Sequence, residues 1–182
     1  MFIKNTIFTL GLALTVPAFG CASAPETRAE QNDLEQEAHT AAHLFAEADP
    51  ELRMRMERSA GYVVFPTVRE GAFIAGGAAA VGVAYQNGEP VGMVEMREAT
   101  FGAQVGGQVF SELVIFESQE SFDRLRADSF HVEADASATA GQNGVTAEAA
   151  TGRDVEVFAM DERGGMLQAA VGGQRLDFEH GV

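Results

Sequence analysis

The chain has 182 residues, 46% of them hydrophobic, and a formal net charge of −15 at pH 7, a size and composition that fit one globular domain with appendages. Its 12 lysines and arginines include a single lysine, Lys4, so everything after the first segment sets 27 carboxylates against 11 arginines. That balance argues against nucleic acid, whose binding needs clustered cations that release phosphate counterions, and against polybasic attraction to an anionic bilayer.

Residues 1–20 read as a secretory signal: Lys4, an uncharged apolar run from Ile7 to Phe19, and a small residue before Cys21. The run is too short for a comfortable membrane span. Two cleavage sites compete. Ala18-Phe19-Gly20-Cys21 is similar to a bacterial lipobox, although it lacks the Leu three places before the cysteine; Ala22-Ser23-Ala24 is an A-x-A pattern that would leave Pro25 after the cut. Cys21 is the only cysteine, so it has no internal disulfide partner, and its place at the signal boundary favours acylation. The sequence therefore predicts Cys21 as a lipid anchor, residues 21–32 as lipidated cysteine and polar tether, and residues 33–182 as one domain. For a Gram-negative source, Ala22 rather than Asp after the cysteine points to the outer membrane more than the inner one.

Within the domain, N-terminal helices are expected over 33–58. Leu34, Ala38, Ala41, Phe45 and Ala48 form one apolar helical stripe. Asp49-Pro50 then caps and starts a second short helix running to Arg58. A β-rich part is expected over 61–178. YVVFP (62–66) reads as a strand ended by Pro66. GAFIAGGAAAVGVAY (71–85) is strand as well. A helix would tolerate its four glycines badly, at about 1 kcal/mol each, and neither G-x-G-x-x-G nor a lysine-bearing phosphate loop is present. One of its faces is nearly all Ala and Gly, which lets another layer approach closely.

FGAQVGGQVFSELVIF (101–116) alternates, with Phe101, Ala103, Val105, Val109, Leu113 and Ile115 on one face and Gln104, Gln108 and Glu112 on the other. V-G-G-Q recurs at 105–108 and 171–174. With Gly76-Gly77, Gly106-Gly107 and Gly172-Gly173, three strand regions carry a glycine pair, which suggests bulges or bends in a strongly curved or closed sheet. Asn87-Gly88 reads as a hairpin turn, residues 118–127 as a short internal helix, and residues 154–178 as a last hairpin and strand. The fold class is α+β: a mainly antiparallel, strongly curved or barrel-like sheet with N-terminal helices.

AGYVVFP (60–66), Gly76-Gly77, FGAQVGGQ (101–108), ELVIF (112–116), EADASATAG (133–141) and RGGMLQAAVGG (163–173) occur in that order. Together they resemble the SYLF lipid-binding domain, also known as an actin-binding domain from fungal members, and in particular its bacterial exported lipoprotein branch. The resemblance spans roughly residues 50–178. It implies a compact antiparallel β domain with helices and binding to membrane lipids. The chain departs from the family in having GMVEMREAT (92–100) and no tryptophan where a Trp and a Ser-Ala-Pro-like segment are usual, Glu133 where a glycine is usual, and few basic residues.

Arg53, Arg55 and Arg58, with Arg69 close behind in sequence, are the candidate headgroup-binding residues, because guanidinium groups hold phosphate or carboxylate in bidentate fashion. Pairing with Glu51, Glu57 and Glu70 on a solvated face is the competing reading. Met54 and Met56 suit a lipid groove or simple core packing. His39 and His43 have the i,i+4 spacing of a metal pair, but Thr40 stands where H-E-x-x-H needs Glu, so no metal and no cofactor is expected. His131, Asp135 and Ser137 alternate on what reads as one strand but lack a nucleophile elbow, so no catalytic residue is assigned. The expectation is a non-enzymatic, lipid-anchored envelope protein, exported and facing the periplasm, whose domain binds lipid or another amphiphile. The alternative is an acidic interaction module that binds an envelope protein partner.

Overall fold

The computed structural model describes residues 24–72, 75–101, 106–127, 129–132, 135–141, 144–150, 154–161, 166–167 and 173–179. Helix α1 (Arg28–Ala48) starts at a capping box, in which the Glu30 N–H donates to Thr27 Oγ1 and the Thr27 N–H donates to Glu30 Oε2. Two otherwise orphaned donors are satisfied this way, so residues 28–32, expected in the tether, are helical. Ahead of the helix the Ala24 N–H donates to Glu95 Oε1 at 3.0 Å. Asp49 ends α1 and caps helix α2 (Pro50–Arg58), its carboxylate accepting from the Glu51 N–H at 2.8 Å.

The strands are β1 (Gly61–Ala72), β2 (Ala75–Gln86), β3 (Glu89–Phe101), β4 (Gly106–Phe116), β5 (Phe130–Val132), β6 (Asp135–Gly141), β7 (Gly144–Ala150), β8 (Val155–Asp161), β9 (Met166–Leu167) and β10 (Gly173–Glu179), with helix α3 (Gln119–Ala127) between β4 and β5. One antiparallel sheet runs in the order β5-β10-β3-β2-β1-β4-β8-β9, while β6 pairs with β7 separately. The main sheet curls strongly into a half-barrel, giving the expected α+β fold. Asn87 and Gly88, at φ 54° and 81°, turn β2 into β3, as that dipeptide favours. No helix among the described residues is long and apolar enough to cross a membrane.

Both faces of the sheet are covered. Inside the curl, Val63, Phe65, Ala80, Met96, Val114, Phe116, Val157 and Leu176 pack with Phe122 and Leu125 of α3. On the outer face, Val64, Val83, Leu113, Ile115, Phe158 and Met160 pack under Phe45 of α1 and Leu52 and Met56 of α2. The Ala/Gly face of β2 turns inward, and a Cβ on Gly82 would lie 2.5 Å from the Val64 carbonyl oxygen and 2.6 Å from the Phe65 ring.

The structure corrects four expectations. Pro66 does not end its strand; β1 continues to Ala72, with Pro66 inside the register shifts between Val64 and Arg69, and its carbonyl accepts from Ser111 Oγ at 2.8 Å. A bulge tolerates a residue that has no N–H to give the ladder. Of the bulges or bends expected at the glycine pairs, the described residues show no bulge there. Instead Gly107, Gly71, Gly77, Ala99 and Gly173 pair in succession across β4, β1, β2, β3 and β10. A row nearly free of side chains lets five strands curl closely; Gly76 and Gly106 sit one residue beside it, and Gly172 lies outside the described residues. The alternation of β4 is not clean, since Phe110, Val114 and Phe116 share the Glu112 face and are buried with it. Finally, His131 belongs to β5 of the main sheet, whereas Asp135 and Ser137 belong to β6 of the other, so the three do not alternate along one strand.

Candidate functional site

Where α2 meets the β2–β3 turn, a pocket of about 410 Å³ opens, lined by Ala46, Arg53, Met56, Glu57, Ser59, Tyr62, Asn87 and Gly88. Local sequence builds it. The Asp49 cap directs α2 across the end of the sheet, Met56 is buried against it, and the left-handed Asn87-Gly88 pair folds the hairpin tip towards the helix. Tyr62 stacks on Tyr85 with ring centroids 5.1 Å apart and planes 16° from parallel, so one face of Tyr62 is already occupied. Burial raises the Tyr62 phenol above its usual range, which keeps it neutral.

The four candidate arginines separate. Arg53 lines the pocket. Arg55 turns to the sheet instead, where its Nη1 donates to Glu156 Oε1 on β8 and its Nη2 lies 3.3 Å from Glu51 Oε1. Hydrogen bonding to Glu156 raises the Arg55 pKa, outweighing partial burial. Arg55 therefore clamps α2 to the sheet. Arg58 is exposed beside Met54 Sδ at 3.7 Å. Arg69 is exposed and pairs with Val109 and Ala79, eight residues and about 26 Å of extended chain beyond Gly61. Of the methionines, Met56 lines the pocket and Met54 is 44% exposed.

On α2 the two i,i+4 charge pairs behave differently. Glu51 and Arg55, with the acid nearer the N-terminus, form an ion pair. Arg53 and Glu57, in the reverse order, form none, and both line the pocket. Helix geometry accounts for this, because acid-before-base pairs more favourably than base-before-acid.

A second polar site lies within the curl. Gln174 Nε2 donates to Glu112 Oε1 and Oε2 at 3.1 and 3.0 Å and to Glu98 Oε2 at 3.2 Å. Glu98 pairs with Gln174 across β3 and β10, whereas Glu112 reaches it from β4, so the bond spans the curl. Glu112 is 1% exposed, and burial, reinforced by the Glu98 charge and only partly offset by Gln174, pushes its carboxyl up to about 8. Glu112 is accordingly a neutral acid at pH 7. Gln174 Oε1 is buried with no hydrogen-bond partner. The sequence offered one signal for this site: a lone carboxylate amid VFSELVIF.

His39 and His43 are exposed, with His43 Nδ1 3.6 Å from Glu47. Among the described residues no group of three His, Cys, Asp or Glu side chains gathers to hold a metal ion. Sequence reasoning missed Glu57, Ser59, Tyr62 and Asn87 as pocket residues.

The family model Ysc84, described as Las17-binding protein actin regulator, matches residues 97–180. The match runs from β3 to the end of β10, including Glu98, Glu112 and Gln174, and it begins after the pocket residues 46–88. No curated protein matches the chain.

Proposed function

Because residues 97–180 match the Ysc84 (SYLF) family model, a family compatible with lipid or protein binding, we propose that this chain is a non-enzymatic, lipid-anchored envelope protein that binds an amphiphile in the pocket between α2 and the β2–β3 turn. The observation that carries the reading is the lining itself, with Ala46, Met56 and Tyr62 apolar beside Arg53, Glu57 and Asn87. Its volume of about 410 Å³ is that of a small-molecule site, where an apolar lining supplies affinity and a few polar groups fix orientation. Arg53 is the headgroup contact; Arg55 is committed to Glu156, and Arg69 is far along β1.

An acylated Cys21 would hold the domain close to the bilayer. Ala24 is bonded to Glu95, which leaves three residue steps, about 10 Å of extended chain, between cysteine and domain. Export to the periplasmic face, at the outer membrane, completes the proposal. Titration of isotope-labelled protein with a spin-labelled lysophospholipid tests it. Broadening centred on Met56, Tyr62 and Gly88 supports the pocket, and broadening confined to other surfaces refutes it. A protein partner is the second reading, favoured by Leu44 and Met54, which leave 46% and 44% of their surface exposed on the helical layer.

A further inference from the structure

We infer that the pocket selects a zwitterionic headgroup carrying phosphate and a primary ammonium, of the phosphoethanolamine class, with Arg53 on the phosphate and Glu57 on the amine. The inference rests on the amphiphile reading above and names the chemistry of that same pocket. Arg53 and Glu57 line one cavity without pairing to each other, although Glu51 and Arg55, two residues nearer the N-terminus of α2, do pair. Their Cβ atoms stand about 5–6 Å apart by helix geometry, a spacing suited to the two-carbon bridge between phosphate and amine. The guanidinium offers a planar fork for phosphate oxygens, and the carboxylate accepts from ammonium.

Simpler headgroups fit worse. A phosphate without an amine would stand beside the unneutralised Glu57 carboxylate, and unpaired like charge is how sites reject wrong partners. The chain's net charge of −15 also repels anionic surfaces, although salt screens this beyond about 8 Å. A quaternary ammonium is normally held in an aromatic cage, whereas this pocket has one ring, Tyr62, with a face covered by Tyr85. A primary ammonium instead has three N–H donors, and Glu57, the Asn87 side-chain oxygen and Ser59 Oγ are acceptors in the same lining.

Isothermal titration of the full chain with lysophosphatidylethanolamine, lysophosphatidylcholine and lysophosphatidylglycerol, each below its micellar concentration, tests the assignment. The ethanolamine lipid should bind at least about tenfold tighter than either rival, equivalent to about 1.4 kcal/mol. Glu57→Gln should erase that preference while retaining binding, and Arg53→Ala should weaken all three lipids. Equal or tighter binding of the glycerol or choline lipid overturns the zwitterion assignment and leaves the amphiphile reading standing. No binding of any lysolipid overturns both. Free phosphoethanolamine binding as tightly as its lysolipid supports the headgroup site but assigns it to a soluble compound rather than a membrane lipid.

Discussion

Replacing Glu112 with Gln should change how the protein's stability depends on pH. In the folded chain the Glu112 carboxyl is raised from 4.5 to about 8, so between those values the folded state keeps a proton that the unfolded chain has released. A group raised on folding contributes stability that is full below its unfolded pKa and lost as pH rises through its folded one. One proton limits the slope to about 1.4 kcal/mol per pH unit, or at most about 4 kcal/mol between pH 5 and pH 8. Glu112→Gln keeps the side chain's shape and leaves an oxygen to accept from Gln174 Nε2, without a titrating proton. Urea unfolding followed by circular dichroism at pH 5, 6, 7 and 8 should show wild-type stability falling across the series and the variant's nearly flat, with the variant the more stable at pH 8. Parallel profiles for the two proteins would refute the buried neutral acid. Below pH 4.5 the trend reverses, because Asp177 is held below its usual range by Ser129 and Arg175 despite partial burial, and that contribution fades on acidification.

Two further perturbations test the packing. Arg55→Ala removes the clamp between α2 and Glu156, which is buried; with the arginine 38% exposed, the loss is on the order of 2 kcal/mol rather than the larger penalty of a fully buried pair, measurable as a lower urea midpoint at unchanged slope. Gly82→Ala places a methyl group against the Val64 carbonyl and the Phe65 ring. It should cost about 1–3 kcal/mol as an overpacked core position, and a thermal midpoint equal to wild type would show that β1 and β2 are less closely apposed.

Local signals in the sequence translated directly into structure. Asp49-Pro50, Asn87-Gly88 and the α1 stripe each act through neighbours a few residues away, and each formed the element expected. The start of α1 was less visible, because Thr27 and Glu30 precede the apolar stripe that defines the helix. Pro66 misled because its cost depends on whether a ladder hydrogen bond is needed there, and the register shift on both sides of β1 removes that need. Glu112 read as one of a polar face with Gln104 and Gln108, because one strand's alternation cannot show that a curled sheet is covered on both faces. Its partner Gln174 lies 62 residues away.

The arginine cluster was a cluster only along the chain. At 3.6 residues per turn, Arg53 and Arg55 point about 200° apart around α2, one to the pocket and one to β8. That separation was readable from helical periodicity. The partner that captures Arg55 was not, because Glu156 lies 101 residues further on.

The most direct test of amphiphile binding is liposome flotation of residues 22–182, which contain every described element but not Cys21, so no acyl chain contributes. Vesicles rich in phosphatidylethanolamine should carry the protein upward, and Arg53→Ala should reduce the floated fraction severalfold while Arg69→Ala leaves it unchanged. Failure to float with any vesicle composition, or equal flotation of the Arg53 variant, would contradict lipid recognition at this pocket.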